Sequence, residues 1–117
     1  MLASEILRKS AEKVDAGWVR HHFEHAGRVC ALGALRKVAF GHSNRAGWRN
    51  PTEGEYRKAV IALADQFKAQ GLGLESPWIN RMGENYIANV NDDCAKNRKV
   101  ISSAMEKAAI QLEGQWQ

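Results

Sequence analysis

The spacing of apolar residues predicts a first helix over residues 3–16. Apolar side chains recur at steps of three and four residues, which places them on one face of a helix. The residues on that face are Ala3, Ile6, Leu7, Ala11 and Val14. Gly17 follows as a stop signal, because glycine is the residue that most often terminates a helix.

The pattern changes over residues 18–29. The segment Trp-Val-Arg-His-His-Phe at 18–23 has no helical periodicity and is rich in residues that favour strands. Ala26-Gly27 suits a turn, and Arg28-Val29 suits a returning strand. We therefore predict a short β-hairpin near residues 18–29. Because a lone hairpin is marginally stable in water, it must pack against helices.

Four further helices are predicted from apolar stripes and their boundary signals. Their expected ranges are 30–40, 52–70, 77–90 and 94–113, with an extended conformation as the alternative for 86–90. Asn91-Asp92-Asp93 is expected to cap the last of these helices, where acidic residues suit the helix dipole. The predicted fold is mainly α, a compact bundle of about five helices forming a single domain over residues 1–117.

Charge is distributed unevenly along the chain. The protein has 117 residues and a formal net charge of +4. Residues 1–50 hold nine Lys and Arg against four Asp and Glu, and they also hold all four histidines. Residues 51–117 hold eight Lys and Arg against nine Asp and Glu. A basic first half favours anionic partners, although a solvated basic surface is the alternative.

Cysteine content and hydropathy indicate the class of protein. Two cysteines, Cys30 and Cys94, are too few for a disulfide-dense secreted scaffold, and neither lies in a Cys-x-x-Cys pair. The longest apolar run falls far short of the roughly 20 residues that span a bilayer. No apolar signal-peptide core follows Met1. We expect a cytoplasmic protein without a membrane partner.

Arginine, histidine and tryptophan side chains of the first half are candidates for a nucleotide site. Arginine makes bidentate contacts with phosphate, and an aromatic ring gives a base a surface to stack on. The candidates are Trp18, Arg20, His22, His25, Arg28, Arg45, Trp48 and Arg49. The sequence contains neither the Gly-x-x-x-x-Gly-Lys phosphate loop nor the Gly-x-Gly-x-x-Gly dinucleotide-binding motif. The alternatives to a binding role are that the arginines are surface residues that keep the protein soluble and that the tryptophans pack in the core.

Cys30 is the one candidate nucleophile. It stands at the predicted start of a helix, a position that lowers a thiol pKa. His25 lies five residues upstream as a candidate base, and Asp92 or Asn91 is a candidate to orient it. The alternative is that Cys30 is a small buried apolar residue. His21, His22 and His25 lack the His-Glu-x-x-His order, so no metal or other cofactor is predicted.

Two short motifs resemble a small family of bacteriophage and actinobacterial proteins. These motifs are Cys-Ala-Leu-Gly-Ala at residues 30–34 and Asn91-Asp92, and the similar stretches are 6–18, 29–38 and 90–109. Position 90 is valine where that family tends to have tryptophan. The resemblance implies a phage-related setting and no established activity. It also implies that Asn91-Asp92 lies beside Cys30 and satisfies backbone groups at the start of that helix.

Three functional hypotheses follow. The first is a small non-enzymatic binding protein that captures an anionic ligand, such as a nucleotide immune signal, or an acidic host protein, and so counteracts host defence. Assembly into a homo-oligomer would help it form a pocket. The second is a hydrolase or transferase that depends on Cys30. The third is a nucleic-acid-binding protein with a helix in a groove. The first hypothesis is preferred, because no convincing catalytic set is present.

Overall fold

The computed structural model describes residues 1–42, 53–73 and 83–114, and it confirms the predicted fold class. Five α-helices lie in these ranges, together with one two-stranded antiparallel hairpin. In chain order the elements are α1 (Ala3–Ala16), β1 (Glu24–His25), β2 (Arg28–Val29), α2 (Ala31–Phe40), α3 (Glu53–Ala69), α4 (Glu84–Asn89) and α5 (Arg98–Gly114). A π-helical turn, Val90–Cys94, extends α4 and is called the π turn below.

Helix α1 lies at the centre of the bundle and packs against α2, α3 and α5, most extensively against α5. The face predicted from its apolar spacing is the face that is buried. Ile6, Leu7 and Val14 have no exposed surface, and they join a shared core with Leu35, Leu63 and Met105 from the other helices. Burial of such side chains contributes about 1.5–3 kcal/mol each, which makes this core the main source of stability.

The predicted hairpin is present and is shorter than its predicted range. Glu24 pairs with Val29, and His25 pairs with Arg28. The two residues of the turn, Ala26 and Gly27, both have positive φ (52° and 79°), as a type I′ hairpin turn requires.

A third extended segment supports the hairpin. The backbone of Val29 donates to the Gly17 carbonyl at 3.0 Å and accepts from Val19 at 3.2 Å. Residues 17–19 therefore run parallel to β2 and fasten the hairpin to the end of α1.

Gly33 lets the hairpin lie directly on α2. A Cβ atom at this position would stand 2.0 Å from the carbonyl oxygen of Phe23. That oxygen accepts a hydrogen bond from the backbone N–H of Cys30 at 3.2 Å. A glycine inside a helix costs about 1 kcal/mol relative to alanine, and here a close contact that no larger residue permits offsets that cost.

Two sequence predictions about the last third of the chain are wrong. Helix α5 begins at Arg98 and not at residue 94, whereas residues 86–90 are helical as predicted and do not take the extended alternative. Asn91-Asp92-Asp93 does not cap α5, because these residues belong to the π turn. Asn97 lies at the start of α5, and its side-chain oxygen accepts from the Lys99 N–H at 2.9 Å. The predicted start of the helix over 77–90 lies outside the described residues.

No helix within the described ranges combines the length and the apolar character that crossing a bilayer requires.

Candidate ligand-binding cleft

Asn91 joins the hairpin, α2 and the π turn through one buried side chain. Its Oδ1 accepts hydrogen bonds from Trp18 Nε1 at 2.6 Å and from the backbone N–H of Ala31 at 2.9 Å. Its Nδ2 donates to the Val19 carbonyl at 3.1 Å and to Asp92 Oδ1 at 3.0 Å. Asn91 has no exposed surface; its bond to the Ala31 N–H is buried, and the other three bonds are part-buried.

The expected proximity of Asn91-Asp92 to the Cys30 helix is confirmed by these contacts. Ala31 is the first residue of α2, and its N–H is one of the four that a helix leaves unpaired at its start. Asn91 satisfies that N–H from 60 residues away in sequence. The Cys30 thiol satisfies a second such group, because its Sγ accepts from the Gly33 N–H at 3.2 Å.

Asp92 holds the loop that precedes β1. Its Oδ1 accepts from the backbone N–H of His21 at 2.8 Å. The His21 imidazole Nδ1 lies 3.7 Å from Asp92 Oδ2. His21 has a φ of 68°, a left-handed conformation that few residues other than glycine adopt. Such strain persists only where the surroundings impose it, and it is frequent at functional sites.

A cleft of about 360 Å³ lies between this loop and the end of α4. Histidine, carboxylate and aromatic groups line it, with the Cys30 thiol among them. The lining residues are His21, His22, Phe23, Glu24, Cys30, Ala88 and Asp92. The volume lies at the lower end of the range for small-molecule sites.

The carboxylates of the cleft are engaged by groups of the protein itself. Glu24 Oε2 lies 2.6 Å from the Lys37 ammonium, which neutralises its charge. Asp92 accepts two hydrogen bonds and has the His21 imidazole nearby. The electrostatic repulsion between the cleft and an anionic ligand is therefore weaker than two unpaired carboxylates would produce.

Two exposed imidazoles, those of His21 and His22, line the cleft, and a third, that of His25, lies beside it. His22 and His25 stack with their ring centroids 5.0 Å apart, and His21 is also exposed. His25 and Arg28 are directly paired across the hairpin, so both side chains lie on the same face. The structure thus brings together three of the predicted ligand-binding residues, His22, His25 and Arg28.

The other predicted ligand-binding residues fall into two groups. Trp18 is half-buried, and its indole N–H donates to Asn91. The Arg20 guanidinium lies 4.5 Å from the Trp18 ring centroid. It also donates to the Ala95 carbonyl at 2.6 Å. Both therefore contribute to the structure of the hairpin base. Arg45, Trp48 and Arg49 lie outside the described residues.

The candidate catalytic set is only partly brought together. Cys30 and Asp92 line the same cleft, but the histidine that contacts Asp92 is His21 and not His25. Burial raises the pKa of the Cys30 thiol. The N–H groups of Gly33 and Leu32 oppose this effect, and the charge of Asp92 adds to it. The helix position therefore does not produce the thiolate that nucleophilic catalysis needs.

We predict that iodoacetamide at pH 7.5 modifies Cys94 before Cys30 in the native protein. Cys30 is 5% exposed with a raised thiol pKa, whereas Cys94 is half-buried. Peptide mass spectrometry over a time course would measure both rates, and the denatured protein provides the reference in which both thiols are open. Faster labelling of Cys30 than of Cys94 would contradict this account and restore the hydrolase hypothesis.

No metal site is present in the described part of the chain, since no three His, Cys, Asp or Glu residues there are grouped to hold an ion. The contact between His21 and Asp92 was not predicted, because Asp92 was expected to orient His25 and to help cap the last helix. His21 and Asp92 are 71 residues apart in the sequence. No local pattern joins residues so far apart.

The chain was compared with protein families, with curated proteins and with solved structures. A model described as a family of unknown function, DUF6197, matches residues 1–111. No curated protein and no solved structure matches significantly.

Proposed function

The chain belongs to the DUF6197 family, and we propose that it is a non-enzymatic binding protein that captures a nucleotide at the hairpin cleft. One observation carries the proposal. His21 and His22 line a cleft whose carboxylates are already engaged, and the exposed imidazole of His25 stacks on His22 beside it.

The loop is preorganised for binding. Asp92 fixes the His21 backbone, Asn91 fixes Val19, and the Cys30 N–H fixes the Phe23 carbonyl. Each of these contacts joins the loop to a helix or to the π turn. A loop that is already ordered loses less conformational entropy when a ligand binds, which favours affinity.

The chemistry of the lining favours a ligand with an anionic group and a flat ring. Imidazole N–H groups donate hydrogen bonds to phosphate oxygens. Phe23 lines the same cleft and is 39% exposed, so its ring offers a stacking surface for a base. A nucleotide combines both groups in one molecule.

The properties of the Cys30 thiol support binding of the ligand without its chemical conversion. Cys30 is buried, its thiol pKa is raised, and its sulfur accepts the Gly33 N–H as a helix cap. These features describe a structural residue at the base of the cleft. A bound ligand is therefore expected to be recovered unchanged.

The proposal includes a biological setting. In a phage-related context, capture of a nucleotide immune signal in the host cytoplasm would counteract host defence. An acidic host protein is the alternative partner for the same imidazoles, and a homo-oligomer would enlarge a site that one protomer leaves open. The resemblance of residues 30–34 and 91–92 to bacteriophage proteins supports this setting.

We predict that a nucleotide raises the melting temperature of the protein by about 10 °C at one hundred times its dissociation constant. Such a ligand stabilises the folded state by about 2.7 kcal/mol. For a chain of this size, 1 kcal/mol corresponds to about 4 °C. The measurement is a thermal-shift screen with AMP, GMP, CMP, UMP, ADP-ribose and cyclic dinucleotides.

The double variant His22→Ala/His25→Ala is expected to abolish that shift, because it removes the stacked exposed imidazoles without disturbing the core. Glu106→Ala/Lys107→Ala, an exposed pair on α5, is the matched control and should keep the shift. A shift that survives the histidine double variant, or no shift with any nucleotide, would refute nucleotide capture at this cleft. Mass spectrometry of the recovered ligand would show hydrolysis if the protein were an enzyme.

A further inference from the structure

A second surface, distinct from the cleft, carries five exposed cations around the C-terminal end of α1. It is called the basic end below, and it comprises Arg20, Arg28, Lys96, Arg98 and Lys99. The five residues come from three separate parts of the chain, so only the fold brings them together.

Specific contacts place Arg28, Arg98 and Lys99 at this end. The Lys99 ammonium lies 3.3 Å from Asp15 Oδ2, and the charge of Arg98 also acts on Asp15. The Arg28 side chain passes over Gly17, since a Cβ atom there would stand 3.1 Å from Arg28 Cγ. The basic end therefore surrounds the last turn of α1.

Arg20 connects the segment after α1 to the segment before α5. Its Nη2 donates to the Ala95 carbonyl at 2.6 Å and lies 3.5 Å from the Lys96 carbonyl. Its guanidinium also covers the Trp18 ring. This arrangement holds one cation of the basic end in a defined position beside Lys96.

The position of these cations works against the stability of α5. Arg98 and Lys99 occupy the first turn of a 17-residue helix that has no acidic residue in that turn. The N-terminus of a helix carries a partial positive charge, which cations raise further. Residues that lower the stability of the helix they belong to, as these two cations do, are expected where a surface serves a function.

The basic end lacks the side chains that other partners require. The exposed large hydrophobic residues in the described ranges are Met1, Leu2, Phe23, Ile61 and Ile110, and none belongs to it. Protein interfaces depend on aromatic and aliphatic anchors, and membrane-surface helices insert apolar side chains. A phosphodiester backbone requires cations alone.

We propose that the basic end binds the phosphate backbone of nucleic acid without sequence preference. Arg20 and Arg28 contact phosphates beside the hairpin, and Lys96, Arg98 and Lys99 contact them beside α5. This function is separate from nucleotide capture at the cleft, since the two surfaces use different side chains.

The test is fluorescence anisotropy with a labelled 20-nucleotide DNA, single-stranded and duplex, at several salt concentrations. For the logarithm of the association constant against the logarithm of salt concentration, four or five phosphate contacts predict a slope of about −3.6 to −4.5 with the duplex and about −2.8 to −3.5 with the single strand. The double variant Lys96→Glu/Arg98→Glu is expected to weaken binding at least tenfold at 50 mM salt and to flatten the slope by about 2.

A matched control separates this site from general attraction to a basic protein. Lys9→Glu/Lys107→Glu changes the net charge by the same amount at exposed positions of α1 and α5 outside the basic end. It should retain most of the affinity and the slope. Because glutamate at position 98 suits the helix dipole, the test variant should melt no lower than wild type.

Equal loss of affinity in both double variants would overturn the proposal, as would the absence of salt-dependent binding. Poly-glutamate serves as a competitor of matched charge. If it displaces the DNA at equal charge concentration, the surface recognises acidic protein and the nucleic-acid assignment fails.

Discussion

Replacing Asn91 with leucine is expected to lower the free energy of unfolding by about 3–5 kcal/mol. Leucine fills a similar volume but accepts nothing, so Trp18 Nε1 and the Ala31 N–H lose their acceptor. An unsatisfied buried donor costs about 1–3 kcal/mol, and two are created here. The Val19 carbonyl also loses its donor. Urea unfolding followed by tryptophan fluorescence would measure the loss.

Asn97→Ala is the matched control for this substitution. Asn97 is exposed and caps α5 through one bond to the Lys99 N–H, so its loss is expected to cost about 1 kcal/mol. Asn91→Asp separates the two halves of the Asn91 side chain, because it keeps the acceptors and removes the donors. A cost for Asn91→Leu no larger than that for Asn97→Ala would mean that the buried network does not hold the hairpin in place.

Replacing Gly33 with alanine is expected to destabilise the protein by about 3 kcal/mol or more. Intrinsic helix propensity favours alanine over glycine by about 1 kcal/mol, so propensity alone predicts the opposite sign. The added methyl would overlap the Phe23 carbonyl oxygen at 2.0 Å and its carbon at 2.8 Å. Both atoms are backbone, and the hairpin must move away from α2 to relieve the clash.

Gly54→Ala provides a control with the same chemical change in helix α3. A Cβ atom there meets nothing within 4 Å, so we expect a gain of up to about 1 kcal/mol. Differential scanning calorimetry of the two variants would show shifts of opposite sign. The Gly33 variant should also lose the nucleotide-dependent thermal shift, because the displaced loop carries the cleft. Stabilisation of both variants would contradict the close contact between the hairpin and α2.

Local patterns in the sequence were sufficient for much of the fold. The stripe that includes Ile6 and Val14 predicts both the range and the buried face of α1. The turn at Ala26-Gly27 was also found, because glycine permits the positive φ of a hairpin turn. Such predictions succeed where the signal lies within one turn of a helix or one pair of strands.

The predicted start and cap of helix α5 were wrong for a physical reason. Asn91-Asp92-Asp93 and Asn97 both have the residue types of a helix cap, and local chemistry does not choose between them. Bonds from Asn91 to Trp18 and Ala31, which are 73 and 60 residues away, place it in the π turn. Asn97 is then left to cap the helix.

The candidate site was predicted less completely than the fold. Exposed histidines were expected to bind ligand, and the structure gathers them on one loop. The role of Gly33, the contact of His21 with Asp92 and the neutralisation of Glu24 by Lys37 all depend on packing between separate elements. Sequence spacing carries no information about those distances.

Titration of each nucleotide of the panel into protein labelled with ¹⁵N-histidine would show whether nucleotides bind at the cleft. The chain has four histidines, of which His21 and His22 line the cleft and His25 stacks on His22. His42 follows α2, about 15 Å along that helix from Cys30. We expect the ring signals of His21, His22 and His25 to shift together and to saturate, with His42 unchanged. Shifts confined to His42, or no saturable shift with any nucleotide, would contradict capture at the hairpin cleft.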